Sequence, residues 1–338
     1  MTGTYFLGAN SAHGFYSLYG GFPPEDGFLH IIKGGPGTGK SGFMRAVGAE
    51  AERRGLDVQY VLCSGDPDSL DGVYIPALGV AWVDGTAPHA LDPGIFGVNG
   101  DYVNLGRFCR TPFTPESCER IADISRRYKA LYAEGYAYTA AAGKLGTTCR
   151  YDLSPLEKRL DIILRRCRRE GHHGERKIFL RAISCRGLIS TSDTLCGFSE
   201  RYEFTSAFGG AAPALELVRH EAAQRGLEAI IAMSPLCPEV IDAVLLPGAG
   251  IAFFSGEYGC RTARHIRLDS MLTERPDPQR IADAKSSAAL RDKLLTLAVG
   301  RLAAAKSLHD ELELQYRPYM DFATLTEFTN TELSRIFI

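Results

Sequence analysis

The sequence has no C-x-x-C pair among its nine cysteines, which excludes the common zinc-site and thioredoxin-like motifs. It also lacks an excess of one charge: the formal net charge is -2, so composition gives no sign of a nucleic-acid or anionic-membrane partner. No apolar stretch is long enough to span a bilayer. Residues 1–12 lack the basic and apolar regions of a signal peptide. We therefore expect free thiols in a cytoplasmic protein.

Residues 34–41 carry the best-defined motif of the chain, with the sequence GGPGTGKS. It satisfies the phosphate-binding pattern G-x-x-x-x-G-K-[ST] at every fixed position. Glycines let the backbone turn so that its amides converge on phosphate oxygens. Lys40 supplies positive charge to the β- and γ-phosphates, and the Ser41 hydroxyl is a ligand for Mg²⁺. The predicted nucleotide-binding residues are Gly34, Gly35, Pro36, Gly37, Thr38, Gly39, Lys40 and Ser41.

The residues on both sides of the loop support this interpretation. Residues 28–32 form a short apolar run that suits a buried strand, and residues 42–54 carry apolar side chains at helical spacing. A strand, a glycine-rich loop and a helix in this order bring a helix N-terminus towards a bound anion. We therefore expect ATP and Mg²⁺ as the ligands of this loop.

An internal repeat relates the two halves of the chain. When the sequence is shifted by 171 residues, the region after the loop aligns without a gap, so that residues 54–56 fall on residues 225–227, both reading RGL. Before the loop, a shift of 173 places residues 6–7 on residues 179–180, both reading FL. The chain therefore looks like a duplicated unit.

Each copy is followed by a mostly helical segment, at about residues 115–170 and 278–338, with an alanine-rich stretch of strong helix formers. We interpret each segment as two helices packed as a hairpin. The predicted fold is α/β: duplicated P-loop NTPase-like units with mostly parallel sheets, each with a helical hairpin appendage. The predicted domains are an active half, residues 1–174, and a degenerate half, residues 175–338, called the first and second half below.

The second half has lost the groups that hold a nucleotide. In the same register, Ala211 takes the place of Lys40. Ala212 takes the place of Ser41, and the bulky Phe208 replaces a loop glycine. Without the lysine charge and the hydroxyl ligand, this copy cannot hold a nucleotide in the same way. We therefore expect one nucleotide site per chain and a second half that is structural or binds a protein partner.

Asp84 is the strongest candidate for the acid on the magnesium side. It follows the apolar run of residues 79–83, as the acid of a Walker-B strand does. Its counterpart in the second half is Ser255, so this carboxylate disappears together with the lysine of the loop. We predict that Asp84 and Ser41 hold the metal and that Lys40 and Asp84 serve catalysis.

Two further acids follow the loop. Asp66 has Cys237 as its counterpart, and it acts either over the phosphates as a base or water-positioning group, or in a plain polar turn. We retain Asp66 as the third candidate catalytic residue. Asp71 persists in the second half as Asp242, so we expect a turn or capping role for it.

Other polar residues give weaker signals. His89 lies soon after Asp84 and either approaches the phosphates or a second substrate, or is an ordinary loop residue. Arg107 and Arg110 are candidates for reaching the γ-phosphate, and a solvated helix face is the alternative. Residues 309–313 read HDELE, but consecutive helical positions point to different faces, so we predict no metal cluster there.

Several segments resemble an uncharacterised family of bacterial tandem P-loop ATPases, found largely in Firmicutes. They are residues 33–41, 68–73, 75–76 and 84–89, with the ending from residue 309 to residue 322. The resemblance covers nearly the whole chain and implies a P-loop fold and ATP binding, without a substrate or pathway. In relatives the second half also carries a phosphate-binding loop, and this chain departs from that pattern.

Three functions are compatible with these features. The first is Mg-dependent ATP hydrolysis at the single site, with water as the acceptor. The second is a small-molecule kinase that uses the same donor site, and the third is a non-catalytic, nucleotide-gated binding module. A P-loop fold does not by itself specify the reaction, so the sequence leaves all three open.

Overall fold

Each half of the chain builds one six-stranded sheet, and the two sheets have the same strand order. The structure is a computed structural model of the chain. It describes residues 3–24, 27–88, 90–167, 174–256, 258–260 and 262–337.

The described residues of the first half form eight strands and three α-helices. In chain order they are β1 (Gly3–Tyr5), β2 (Gly8–Ser11), β3 (Gly14–Ser17), β4 (Phe28–Lys33), α1 (Lys40–Arg53), β5 (Gln59–Leu62), β6 (Leu70–Ile75), β7 (Val80–Asp84), β8 (Gly100–Asn104), α2 (Pro115–Gly143) and α3 (Ser154–Leu164).

The described residues of the second half form eight strands and four α-helices. In chain order they are β9 (Glu175–Ile178), β10 (Arg181–Ser184), β11 (Gly187–Ser190), α4 (Asp193–Cys196), β12 (Glu200–Thr205), α5 (Ala211–Gln224), β13 (Ala229–Met233), β14 (Ile241–Leu246), β15 (Ile251–Ser255), β16 (Arg264–Arg267), α6 (Pro278–Tyr316) and α7 (Phe322–Ile336).

The two sheets repeat one topology. Their orders are β1-β5-β6-β7-β4-β8 and β9-β13-β14-β15-β12-β16, and each strand occupies the place of its sequence counterpart. In each sheet one strand, β6 or β14, runs antiparallel to its two neighbours, while the other five are parallel to one another. The predicted duplicated α/β layout is therefore confirmed.

The two sheets pack face to face, and their shared core explains why strand residues alternate between two environments. In β7, Ala81 and Val83 face the second sheet, whereas Trp82 faces α1 on the outside. In β15, Phe254 faces the first sheet and Phe253 faces the opposite way. Because strand side chains alternate in direction, one apolar strand serves two cores. The order of layers is helix, sheet, sheet, helix.

The helical segments do not form the hairpins predicted within each half. Instead α2 packs along α6, so that the two long helices pair across the halves. The short helices are exchanged: α3 of the first half packs on α5 of the second, and α7 of the second half packs on α1 of the first. Leu156 of α3 thus belongs to the core of the second sheet, and Leu325 of α7 to that of the first. The hairpin prediction was wrong because pairing between distant helices leaves no local sequence signal.

Helix starts follow from side chains that satisfy free amides. The hydroxyl of Thr114 accepts a hydrogen bond from the amide of Ser117 at the start of α2, and Asp277 accepts one from Arg280 at the start of α6. Asp321 does the same for Thr324 at the start of α7.

No helix among the described residues is both long and apolar enough to cross a bilayer. The nine cysteines, all within the described residues, form no disulfide bond.

Candidate nucleotide site

The glycine-rich loop of residues 34–39, which the sequence predicts to bind phosphate, connects β4 to α1 at the carboxyl end of the first sheet. Gly37 and Gly39 have φ angles of 67° and 85°. Residues that carry a Cβ atom rarely adopt such positive φ angles. A Cβ on Gly39 would also lie 2.7 Å from the Leu325 side chain of α7. These two glycines are therefore required by the backbone path, and the predicted order of strand, loop and helix is present.

The loop amides point to no acceptor within the part of the chain that the structure describes. The amides of Gly37, Gly39 and Lys40 form no hydrogen bond with a described residue, and the N-terminus of α1 has no side-chain cap. A helix N-terminus with unsatisfied amides and a positive dipole end favours an anion. The loop thus has the donor set that a phosphate requires.

Lys40 and Asp84 lie side by side at this site. The Lys40 Nζ atom donates to the carbonyl oxygens of Gly34 and Gly35 at 3.1 and 2.8 Å and lies 3.6 Å from Asp84 Oδ2. Asp84 ends β7 as predicted, and its Oδ1 atom accepts hydrogen bonds from the amide and hydroxyl of Thr86 at 2.8 and 2.6 Å. Thr86 therefore fixes the carboxylate, whose other oxygen faces the lysine.

Ser41 is the second residue of α1, and its hydroxyl oxygen accepts a hydrogen bond from the amide of Leu70 at 3.0 Å. This bond ties the predicted metal ligand to the start of β6. A hydroxyl that accepts from an amide keeps a second lone pair for a cation. The structure places Ser41, Asp84 and Lys40 in the lining of one cavity.

Asp66 also lines this cavity, but it is paired. Its Oδ2 atom lies 3.3 Å from the Nζ atom of Lys306, which belongs to α6 of the second half, and Lys306 also contacts Asp310. No local sequence pattern indicates this partner, because 240 positions separate the two residues.

The turn or capping role expected for Asp71 was wrong. Asp71 lies inside β6, it is only 4% exposed, and it lines the cavity. Gly72 pairs with Val83 in the antiparallel ladder of β6 and β7, so the next pair places Asp71 opposite Asp84. Opposite residues of such a pair have neighbouring side chains. Asp71 and Asp84 therefore both line the cavity from neighbouring strands, and the site contains an acid in addition to the predicted Asp84 and Asp66.

The contacts of Asp242 explain why the presence of an acid at this position in both halves did not indicate a turn or capping role for Asp71. In the second half, Asp242 forms two hydrogen bonds with the guanidinium of Arg181, at 2.6 and 2.8 Å, and further bonds with Ser255 and Tyr258. The position of Arg181 corresponds to Gly8 in the first half, so no arginine can neutralise Asp71 from there. The same acid therefore serves an ion pair in one half and lies at the cavity in the other.

The cavity has a volume of about 860 Å³, and the C-terminal part of α6 covers it on one side. A Cβ on Gly35 would lie 2.9 Å from the ring of Tyr316, and one on Gly37 would lie 3.3 Å from Glu313. Because α6 belongs to the second half, the second half closes the site of the first. Sequence reasoning missed this contribution entirely.

His309, Asp310 and Glu313 form a cluster on the face of α6 that lines the cavity, with ligand atoms within 4.8 Å of one another. His309 Nδ1 lies 3.7 Å from Glu313 Oε1. The expectation that these residues face different ways was wrong, because positions four apart share a helix face. Burial lowers the pKa of His309, and the nearby cations Lys306 and Lys40 act in the same direction, against the two acids.

The remaining candidates fall outside the cavity or outside the described residues. The Arg107 guanidinium packs over the rings of Phe108 and Phe328, at 4.8 and 4.5 Å from their centroids. Arg110 does not line the cavity, and its amide donates to the carbonyl of Tyr319. His89 lies outside the residues that the structure describes. Arg107 therefore has a packing role, and Arg110 is exposed outside the cavity.

In the corresponding loop of the second half, side chains of the protein accept hydrogen bonds from the loop amides. The amide of Ala207 donates to both carboxylate oxygens of Asp269 at 3.2 Å. The amides of Phe208 and Gly210 donate to the hydroxyl oxygen of Ser206 at 3.1 and 2.9 Å. Oxygen atoms of the protein thus take the hydrogen bonds that phosphate oxygens would need.

Tyr151 of the linker between α2 and α3 covers this second loop. Its hydroxyl lies 2.7 Å from the Ser206 hydroxyl, and a Cβ on Gly210 would lie 2.6 Å from its ring. Gly210 has a right-handed conformation (φ -69°), whereas its counterpart Gly39 is left-handed. The surviving glycine therefore does not preserve the phosphate-binding conformation.

The second loop is also one residue shorter. Ile32 pairs with Asp84, and Phe204 pairs with Ser255, so the strands β4 and β12 correspond at a shift of 172 rather than 171. Six residues separate β4 from α1, and five separate β12 from α5. The gapless alignment therefore holds from the helix onward but not across the loop.

Comparisons with known protein families, with curated proteins and with solved structures found no match. Function is therefore inferred from the residues of the chain itself.

Proposed function

We propose that this protein is a P-loop NTPase that binds ATP and Mg²⁺ at a single site in its first half and hydrolyses the nucleotide there. The observation that carries the proposal is the contrast between the two loops. In the first, Gly37, Gly39 and Lys40 offer amides without a described acceptor beside a lysine side chain. In the second, the chain satisfies its own amides. The resemblance to tandem P-loop ATPases points the same way.

The residues present fit Mg-ATP. The loop amides and Lys40 provide donors and charge for the β- and γ-phosphates, and the Ser41 hydroxyl with the Asp84 carboxylate provides oxygen ligands for Mg²⁺. When bound, the ion neutralises charge that develops on the phosphates. Thr86 holds Asp84 in place through two hydrogen bonds. Asp66, in its pair with Lys306, is positioned to orient the attacking water at the acidic side of the cavity.

Incubation of the purified protein with Mg-ATP, with and without an extract of cell metabolites, tests the reaction. We expect free phosphate to be released without the extract. A phosphorylated metabolite that forms only with the extract would instead identify a small-molecule kinase. Tight ATP binding without either product would identify a nucleotide-gated binding module, for which the covered second half would serve as a platform for a protein partner.

A further inference from the structure

The cavity around the phosphate-binding loop has two chemically different ends. The acids Asp84, Asp71 and Asp66 follow or belong to β7, β6 and β5, which lie on one side of β4 in the sheet. Lys40 contacts Asp84 at this end. The metal-coordinated terminal phosphates of the proposed ligand belong here, because Mg²⁺ requires oxygen ligands.

The other end is formed by the linker between α6 and α7 and by the start of α7. Arg317 and Phe322 line the cavity there. The position follows from packing: Leu325 contacts Gly39, and the ring of Phe328 stacks on Phe43 of α1 with centroids 6.2 Å apart. Phe322 is one helical turn before Leu325, and α7 packs on α1 and on residues 105–108 after β8. In the sheet, β8 lies on the other side of β4 from β7, β6 and β5, the strands of the acids.

Arg317 and Phe322 are suited to the non-phosphate part of a nucleotide. Lys40 and Arg317 are the lysine and the arginine among the described lining residues, and Arg317 forms no ion pair within the described part of the chain. Phe322 is a large apolar residue in the cavity lining, and it is 41% exposed. An aromatic ring can stack on any nucleobase because every base has a π-face.

In the second half, the corresponding linker covers the loop and leaves no room for a ligand. The linker before α3 corresponds to the linker before α7: Tyr151 bridges to Leu272 as Met320 bridges to Cys109. Tyr151 covers its loop directly, whereas the buried Met320 packs into the core and leaves Phe322 at the cavity. The exchange of short helices therefore places a linker over each loop.

We infer that the nucleoside end of the nucleotide binds against the linker between α6 and α7, with the base stacked on Phe322 and Arg317 beside the α-phosphate and ribose. This inference rests on the proposed function. It makes the degenerate second half a part of the binding site, since both residues come from it. The site would accept different bases, because stacking does not read hydrogen-bonding edges.

Calorimetric binding of two probes, a non-hydrolysable ATP analogue and inorganic tripolyphosphate, both with Mg²⁺, tests this inference. In Phe322→Ala the ATP analogue should bind about tenfold more weakly, the scale of one lost stacking contact, and tripolyphosphate should bind as in wild type. Phe322→Tyr should restore the analogue. Phe96→Ala is the matched control, because Phe96 is also an exposed ring, 67% exposed, but does not line the cavity.

The outcomes separate this inference from the proposed function. Equal weakening of both probes by Phe322→Ala, or no weakening of the analogue, would overturn the placement of the base. Unchanged binding of both probes to Lys40→Ala would overturn the proposed function and this inference with it. Loss of both probes in Lys40→Ala, with selective loss of the analogue in Phe322→Ala, supports both.

Discussion

The two loops occupy the same place in two sheets of the same topology, yet one offers its amides and the other satisfies them internally. In the first half, no described acceptor meets the amides of Gly37 or Gly39, and Lys40 lies beside them. In the second half, Ser206 and Asp269 accept the equivalent hydrogen bonds. Both halves need an apolar core, which maintains the sheet topology, whereas the residues of a loop can differ without a change of fold.

The position of Asp269 in the second half has an equivalent in the first half, and the two residues differ. Asn104 pairs with Lys33, and Arg267 pairs with Thr205, at equivalent ends of β8 and β16. Two residues later the first half has Gly106 and the second half has Asp269. A glycine therefore stands where the second half carries the carboxylate that occupies its loop.

The largest expected effect comes from Lys40→Ala, which removes the side-chain cation of the working loop. Turnover should be abolished, and ATP binding should weaken by about 2–3 kcal/mol, roughly 30- to 150-fold, on the scale of a charge-assisted hydrogen bond. Phosphate release and calorimetry measure the two effects. Lys285→Ala, on an exposed position of α6, is the control. Full activity of a folded Lys40→Ala protein would refute the site.

The next largest effect is expected from substitution of the acids that line the cavity. Asp84→Asn should raise the Mg²⁺ concentration needed for half-maximal activity and lower kcat on the order of 100-fold, the scale for a lost electrostatic contact to the transition state. Nucleotide binding should persist in part, because the loop amides remain. Titrations of activity with Mg²⁺ measure both effects. If Asp84→Asn behaves as wild type while Asp71→Asn or Asp66→Asn is inactive, the metal-side acid has been assigned wrongly.

A smaller effect is expected when the first loop is made to resemble the second. Gly106→Asp introduces a carboxylate beside Gly34, since the Gly106 amide lies near that residue. The carboxylate should compete with phosphate for the loop amides and repel it, so the ATP analogue should bind about tenfold more weakly. Gly106→Asn controls for side-chain size. Equal weakening by both variants would show that bulk, not charge, matters.

The smallest effect is expected in the second half. Asp269→Ala removes the acceptor of the Ala207 amide at an exposed position, so the free energy of unfolding should fall by about 1 kcal/mol or less, the scale of a helix cap. This corresponds to a Tm lower by a few degrees. Glu274→Ala, a nearby exposed acid, should leave Tm unchanged. An Asp269→Ala protein that gains a second nucleotide site would show that the carboxylate alone excludes nucleotide.

The sequence predicted those features that local patterns encode. Short apolar runs and the repeat predicted two α/β units, and the apolar run before Asp84 predicted its place at the end of a strand. The repeat also identified the loss of lysine at Ala211. Such inferences succeed because strand periodicity and turn residues are local properties.

The missed features depend on contacts between distant parts of the chain. The pairing of α2 with α6 brings His309 and Glu313 to a loop more than 250 positions away. Asp71 was misjudged because its counterpart persists for a different reason, the ion pair with Arg181. Equal residues in a repeat therefore do not imply equal roles.

Binding stoichiometry tests the central claim most directly, since it counts the working loops. Titration calorimetry of the full chain with a non-hydrolysable ATP analogue and Mg²⁺ should give one nucleotide per chain, and this single event should be weakened or lost in Lys40→Ala. A stoichiometry of two, with one event surviving Lys40→Ala at wild-type affinity, would show that the second half binds nucleotide despite Ala211, Ser206 and Asp269, and would contradict the account.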